Sequence, residues 1–155
     1  MPTPETLHDL ASKFFREFSR LEYSLKACGY NNGDGPAEAN WSRFARAIEQ
    51  AVANSTDEVK QDIDFLLSEP PKKQFINAGV MEWRSAPANT GSRSDDLFVY
   101  IRRVRNNLFH GGKFNGNWFA PERSEVLMSA SLTVMRWAVT QDQRVFEAYN
   151  GQSTS

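Results

Sequence analysis

The stretch LHDLASKFFREFSRLEYSL, residues 7–25, sets Leu7, Leu10, Phe14, Phe18, Leu21 and Leu25 three or four positions apart. That interval lines one side of an α-helix with apolar side chains, so the spacing predicts a long amphipathic helix reaching about Cys28. Gly29 ends it, and the turn-formers Asn31-Asn32-Gly33-Asp34-Gly35-Pro36 cannot continue it. Downstream, Trp41, Phe44, Ala45, Ile48 and Val52 keep the helical period. Ser55-Thr56-Asp57-Glu58 reads as the start of another helix holding Val59, Ile63, Leu66 and Leu67. Pro70-Pro71 closes that segment, and Phe75, Ile76, Val80, Met81 and Trp83 suggest a further helix interrupted near Gly79.

The run from Ser85 to Ser94, rich in Pro, Asn, Gly and Ser, reads as a mobile loop and the first place a protease would cut. Ser94-Asp95-Asp96 then offers a cap and two acidic residues to a helix whose inward face is Leu97, Phe98, Ile101, Val104 and Leu108. Gly111-Gly112 stops it. After an aromatic, Asn/Gly-rich loop from Phe114 to Ala120, Pro121 and Glu122 open a last long helix through Leu127, Ser131, Val134, Ala138 and Val145. No repeat and no alternating strand pattern competes. The expected fold is all-α, a bundle of roughly four to six mostly antiparallel helices. It forms one domain over residues 1–150, with a frayed tail at 151–155.

With 155 residues, 40% hydrophobic and 24% charged, the chain has the usage of a folded domain, not of a disordered one. Eighteen basic residues against nineteen acidic ones leave a net charge of −1, which excludes a global positive field for nucleic acid or anionic membranes. Any RNA contact must be local. Cys28 is the single cysteine, so neither an intrachain disulfide nor a multi-cysteine metal site is expected. Met1-Pro2-Thr3-Pro4-Glu5 lacks the basic and apolar regions of a secretory signal, and no apolar run has membrane-spanning length; the reading is a cytoplasmic protein with no membrane partner.

Chemistry concentrates between Arg105 and His110. On a helix centred on Leu97, Arg105 falls about 80° round, at the margin of the inward face. A guanidinium there calls for a carboxylate, a phosphate or water, because burying it unpaired costs several kcal/mol, as a rough figure. His110 comes where the glycines let the backbone leave helical geometry, so its imidazole is expected to turn toward Arg105. Asn106 and Asn107 add polar groups, and Lys113 a second cation, giving a cluster suited to a phosphodiester.

The run Arg105-Asn106-Asn107-Leu108-Phe109-His110-Gly111 resembles the signature of the HEPN superfamily, in which an arginine precedes a histidine by a few residues near the end of a late helix. The all-helical layout resembles that family too, as does the polar residue after the arginine. Glu22 is similar to an acidic position that many members carry on the first helix. Residue 112 is a glycine, not the tyrosine of members modified by partner nucleotidyltransferases. The resemblance implies a toxin-like or defence-linked endoribonuclease that needs no metal and no cofactor. In it His110 moves protons, Arg105 grips the scissile phosphate, Asn106 orients either group and Glu22 positions Arg105. Lys113, Asn107 and Arg102 would contact the RNA, whose own 2′-OH attacks to leave a 2′,3′-cyclic phosphate. It also implies a homodimer with a composite site, and an antitoxin or regulatory partner.

Blander readings stand beside this one. Glycine, histidine and lysine after a helix's last turn also serve as its cap and answer its negative end. Glu22 reads equally as half of a structural salt bridge, Arg102 and Arg103 as a solvated face, and Phe114, Trp118 and Phe119 as packing residues. The alternatives are a non-catalytic helical module binding nucleotide, RNA or protein, and a dimerisation domain.

Overall fold

The computed structural model describes the backbone of residues 2–110, 113–114, 117–118 and 120–151 and, within these, the side chains of 2–108 and 120–151. The first helix, α1 (Pro4–Ala27), starts at a reciprocal cap in which Thr3 and Thr6 satisfy each other's backbone and side chain. It buries Leu7, Phe14, Phe18, Leu21 and Leu25, the stripe read from the sequence. Gly29 follows at φ +102, where a Cβ would stand 3.2 Å from the Arg144 guanidinium, so both conformation and space favour glycine.

The segment after the turn-rich connection divides into α2 (Trp41–Ala47) and α3 (Glu49–Ala53) at the buried Ile48, where one helix was expected. The break coincides with two polar ties to the chain around residue 92: Ser92 donates its hydroxyl to Glu49 at 2.6 Å, and Arg46 donates to the Thr90 carbonyl at 2.9 Å. Helix α4 (Asp57–Ser68) runs to the two prolines as read.

Residues 73–84 are not helical. They form an antiparallel hairpin of β1 (Lys73–Asn77) and β2 (Val80–Arg84), closed by Ala78 and Gly79 at φ +52 and +81. Positive φ at both central residues is the turn whose twist suits a two-residue hairpin. Its apolar residues sit on both faces and several stay in solvent, Ile76 at 70% and Met81 at 56% exposure, which is why no alternation marks the strands.

Helix α5 (Arg93–His110) follows, then a short strand pair, β3 (Lys113–Phe114) and β4 (Asn117–Trp118). Helix α6 (Pro121–Val139) opens on its proline but stops short of Val145. Asp142 starts α7 (Gln143–Tyr149): one carboxylate oxygen accepts from the Arg144 and Val145 amides, the other accepts the Tyr30 hydroxyl at 2.7 Å. The bend is thus held from α1's exit loop. The fold is all-α, with seven helices among the described residues. The expected tail beyond Gly151 lies outside them.

One hydrophobic core gathers residues of every helix. Helix α1 is central, packed against α5, α6 and α7. An aromatic ladder crosses from α1 to α5: Phe14 and Phe18 stack at 5.9 Å, Phe18 and Trp41 at 5.1 Å, Trp41 and Phe98 at 6.1 Å, and Phe44 meets Phe98 edge-on at 5.5 Å. On the other side of α1, Arg136 of α6 donates two hydrogen bonds to the Glu17 carboxylate, both at 2.7 Å.

Phe14 is fully buried, so Phe14→Ala should lower unfolding free energy by about 3–5 kcal/mol in denaturant titration. The two-pronged bond from Arg136 holds the Glu17 carboxyl below its ordinary value near 4.5, outweighing the burial that raises it. Stability from a depressed carboxyl is complete above that ordinary value and lost as pH falls through the folded one. Glu17→Gln should therefore melt below wild type at pH 7, and the two should converge as the pH falls below 4.5 and through the folded carboxyl's lower value.

Candidate active site

Helix α5 owes its position to its first turn. The Ser92 hydroxyl accepts from the Asp95 amide at 3.1 Å, so the cap is Ser92, and Ser94 instead donates to the buried Ala45 carbonyl at 2.6 Å. Asp95, nearly buried, accepts from Ser42 and lies 3.5 Å from the Arg46 guanidinium. These contacts lock the helix against α2. The preceding loop has no regular structure but is tied down: the Ala88 amide donates to the Tyr100 hydroxyl at 2.8 Å, and the Thr90 hydroxyl donates to Asp96 at 2.6 Å. It is a pinned connection, not the loose one its composition suggested.

The buried face of α5 carries Leu97, Phe98, Ile101, Val104 and Leu108 as read. Its two flanks differ. On the side of α1, the Arg105 guanidinium lies 5.9 Å from the Phe18 ring centroid and donates through Nη1 to Asn106 at 3.1 Å. Arg102, one turn earlier, donates to the Phe98 carbonyl at 3.3 Å. Burial pulls the Arg102 pKa down, and the Asp95 and Glu22 carboxylates oppose that pull. Phe18 and Glu22 ascend α1 while Arg105 and Arg102 descend α5, so the helices run antiparallel here. The charge of Glu22 is felt at Arg102, one turn from the arginine it was expected to position.

Asn107 belongs to the opposite flank. It donates to the Lys72 carbonyl at 2.8 Å, while Arg103 donates to the carbonyls of Pro71 and Ala86 at 3.0 and 2.8 Å. Together they hold the foot of the hairpin. Of the residues read as a site, the structure thus gathers Arg102, Arg105, Asn106 and Glu22 on one flank and sets Asn107 on the other. The helix does not leave its geometry before His110, its last residue, and by register the two positions stand about 140° apart around the axis. The side chains of His110 and Lys113, and with them the expected approach of imidazole to guanidinium, lie outside the described residues.

Beside the Asn107 flank is a groove of about 340 Å³ walled by Pro71, Trp83, Val104, Leu108, Leu127 and Met128. Sequence reading missed it because its walls come from four separate segments. Compared with models of protein families, with curated proteins and with solved structures, the chain matches none. Among the described residues no helix is long and apolar enough to cross a membrane, and no three His, Cys, Asp or Glu side chains gather as a metal site.

Arg103→Ala removes two charge-assisted bonds from a partly buried donor and should cost about 1.5–3 kcal/mol. Hydrogen exchange should quicken over residues 73–84 first, with the α1–α6 amides still protected.

Proposed function

We propose that the protein is an endoribonuclease of the HEPN type, cleaving RNA without metal and leaving a 2′,3′-cyclic phosphate. One observation carries the reading: Arg105 rests over Phe18 at the edge of the core, on the helix that finishes at His110. An arginine held against an aromatic face and beside Asn106 has a fixed orientation, which suits a phosphate whose oxygens gain negative charge during attack. His110 takes the proton of the ribose 2′-OH, the oxygen attacks phosphorus, and the 5′ oxygen departs with a proton returned to it. Arg105 neutralises the charge that builds on the phosphoryl oxygens. Asn106 orients Arg105, and Lys113 contacts the RNA, while Asn107 serves the hairpin through the Lys72 carbonyl. Glu22 acts at one remove, through Arg102, which faces the same strand.

The resemblance supports a cleft shared by two protomers, each bringing its own Arg105 and His110. This reading makes the protein a toxin-like or defence-linked enzyme of the cytoplasm, held in check by an antitoxin or regulatory partner. The apolar groove favours a second reading, a non-catalytic helical module that binds a partner there.

Incubating wild type, Arg105→Ala and His110→Ala with RNA and a chelator separates the two. Cleavage in the wild type, about a hundredfold or more slower in each variant, with cyclic-phosphate ends, is the expected result. Cleavage at equal rates in all three overturns the assignment, and an absence of cleavage in every RNA leaves the binding module.

A further inference from the structure

Helix α1 has a second polar flank, turned away from Phe18 and Glu22. Lys13, Arg16, Glu17 and Arg20 share it, and the last three, with the end of α6 and with α7, enclose an open cleft of about 380 Å³. Its walls carry Arg16, Glu17, Arg20, Arg136, Phe146 and Tyr149. Three guanidiniums face one carboxylate there, a local excess of two positive charges in a chain whose net charge is −1.

The arginines are not equivalent. Arg136 uses Nε and Nη2 on the two oxygens of Glu17, which commits that carboxylate. Arg20 donates through Nε to the Tyr149 carbonyl at 2.6 Å, and its guanidinium lies 4.3 Å from that residue's ring centroid. Carbonyl and ring orient Arg20 without cancelling its charge. Among the described residues that bond is the one hydrogen bond the Arg20 side chain makes, so its Nη groups are still to be satisfied by solvent or ligand. Arg16 is exposed and is felt at both Glu17 and Tyr149; Lys13, also felt at Glu17, extends the positive edge by a turn. A guanidinium already held in place loses little freedom when an anion arrives, and its fork matches phosphate oxygens. Phe146, 37% exposed on the wall, adds a flat apolar surface that a bare phosphate would not use.

We infer that this cleft binds a phosphorylated nucleoside, its phosphate on Arg16 and Arg20 and its base against Phe146. The ligand is either a free nucleotide or one nucleotide of an RNA strand. Nothing in the inference needs RNA cleavage, because the cleft lies across α1 from Arg105.

The test titrates inorganic phosphate, adenosine monophosphate and a short 2′-O-methyl RNA, which cannot cleave itself, into the full chain at about 50 mM salt. Wild type should bind the nucleotide more tightly than phosphate. Arg16→Gln should weaken nucleotide and strand at least about fivefold, and Arg16→Glu should abolish both, with folding checked by circular dichroism. A strand held no tighter than the nucleotide assigns the free ligand; a strand held more tightly, its salt slope smaller by about 0.7 in Arg16→Gln, assigns RNA. No binding of nucleotide or strand by wild type, or unchanged binding in both Arg16 variants, overturns the inference.

Discussion

The ladder of rings from Phe14 through Phe18 and Trp41 to Phe98 is the contact on which the arrangement of this protein depends. Each ring belongs to a helix that cannot bury its apolar stripe alone, and stacking at 5–6 Å sets both the distance and the rotation of α1, α2 and α5. Burying such rings removes large apolar areas from water, and their quadrupoles restrict the approach further. Arg105 is tied to the same ladder, since its guanidinium lies 5.9 Å from the Phe18 ring centroid. Core and candidate site are therefore one construction.

A second constraint works at the opposite end of α5. Ser92, Ser94, Asp95 and Asp96 satisfy one another, α2 and the incoming loop through short hydrogen bonds, several of them buried. Unpaired, those groups would cost more than they contribute, so the network defines a single axial position for the helix. That fixed start passes along two to three turns of helix, as a rough figure, to Arg102 and Arg105. Arg103 and Asn107 use the same rigid rod to hold the hairpin, which has few apolar contacts of its own.

Helix α1 then divides the surface. One flank meets α5, with Glu22 and Phe18 answering Arg102 and Arg105; the other meets α6 and α7, with Glu17 and Tyr149 answering Arg136 and Arg20. In both places an aromatic ring and a carboxylate stand beside the arginines of the flank. A chain near electrical neutrality thereby gathers its arginines on two separate flanks of one helix.

The apolar period of residues 7–25 and of 97–108 is strong enough to fix helix class, inward face and approximate ends before any tertiary contact is considered. Arg105 at the core's margin followed from the same arithmetic. The hairpin at 73–84 escaped that reading because its exposed apolar residues obey no burial period, and the divisions at Ile48 and Thr140 escaped because the hydrogen bonds beside them come from distant segments. Glu22 facing Arg102, Asn107 turning to the hairpin, and three arginines meeting at one cleft depend on how helices pack. The sequence by itself determined what each helix buries, because that is a property of local periodicity; only the tertiary structure decided which charged groups meet, because a charge on a helix flank is answered by whichever neighbour the core brings beside it.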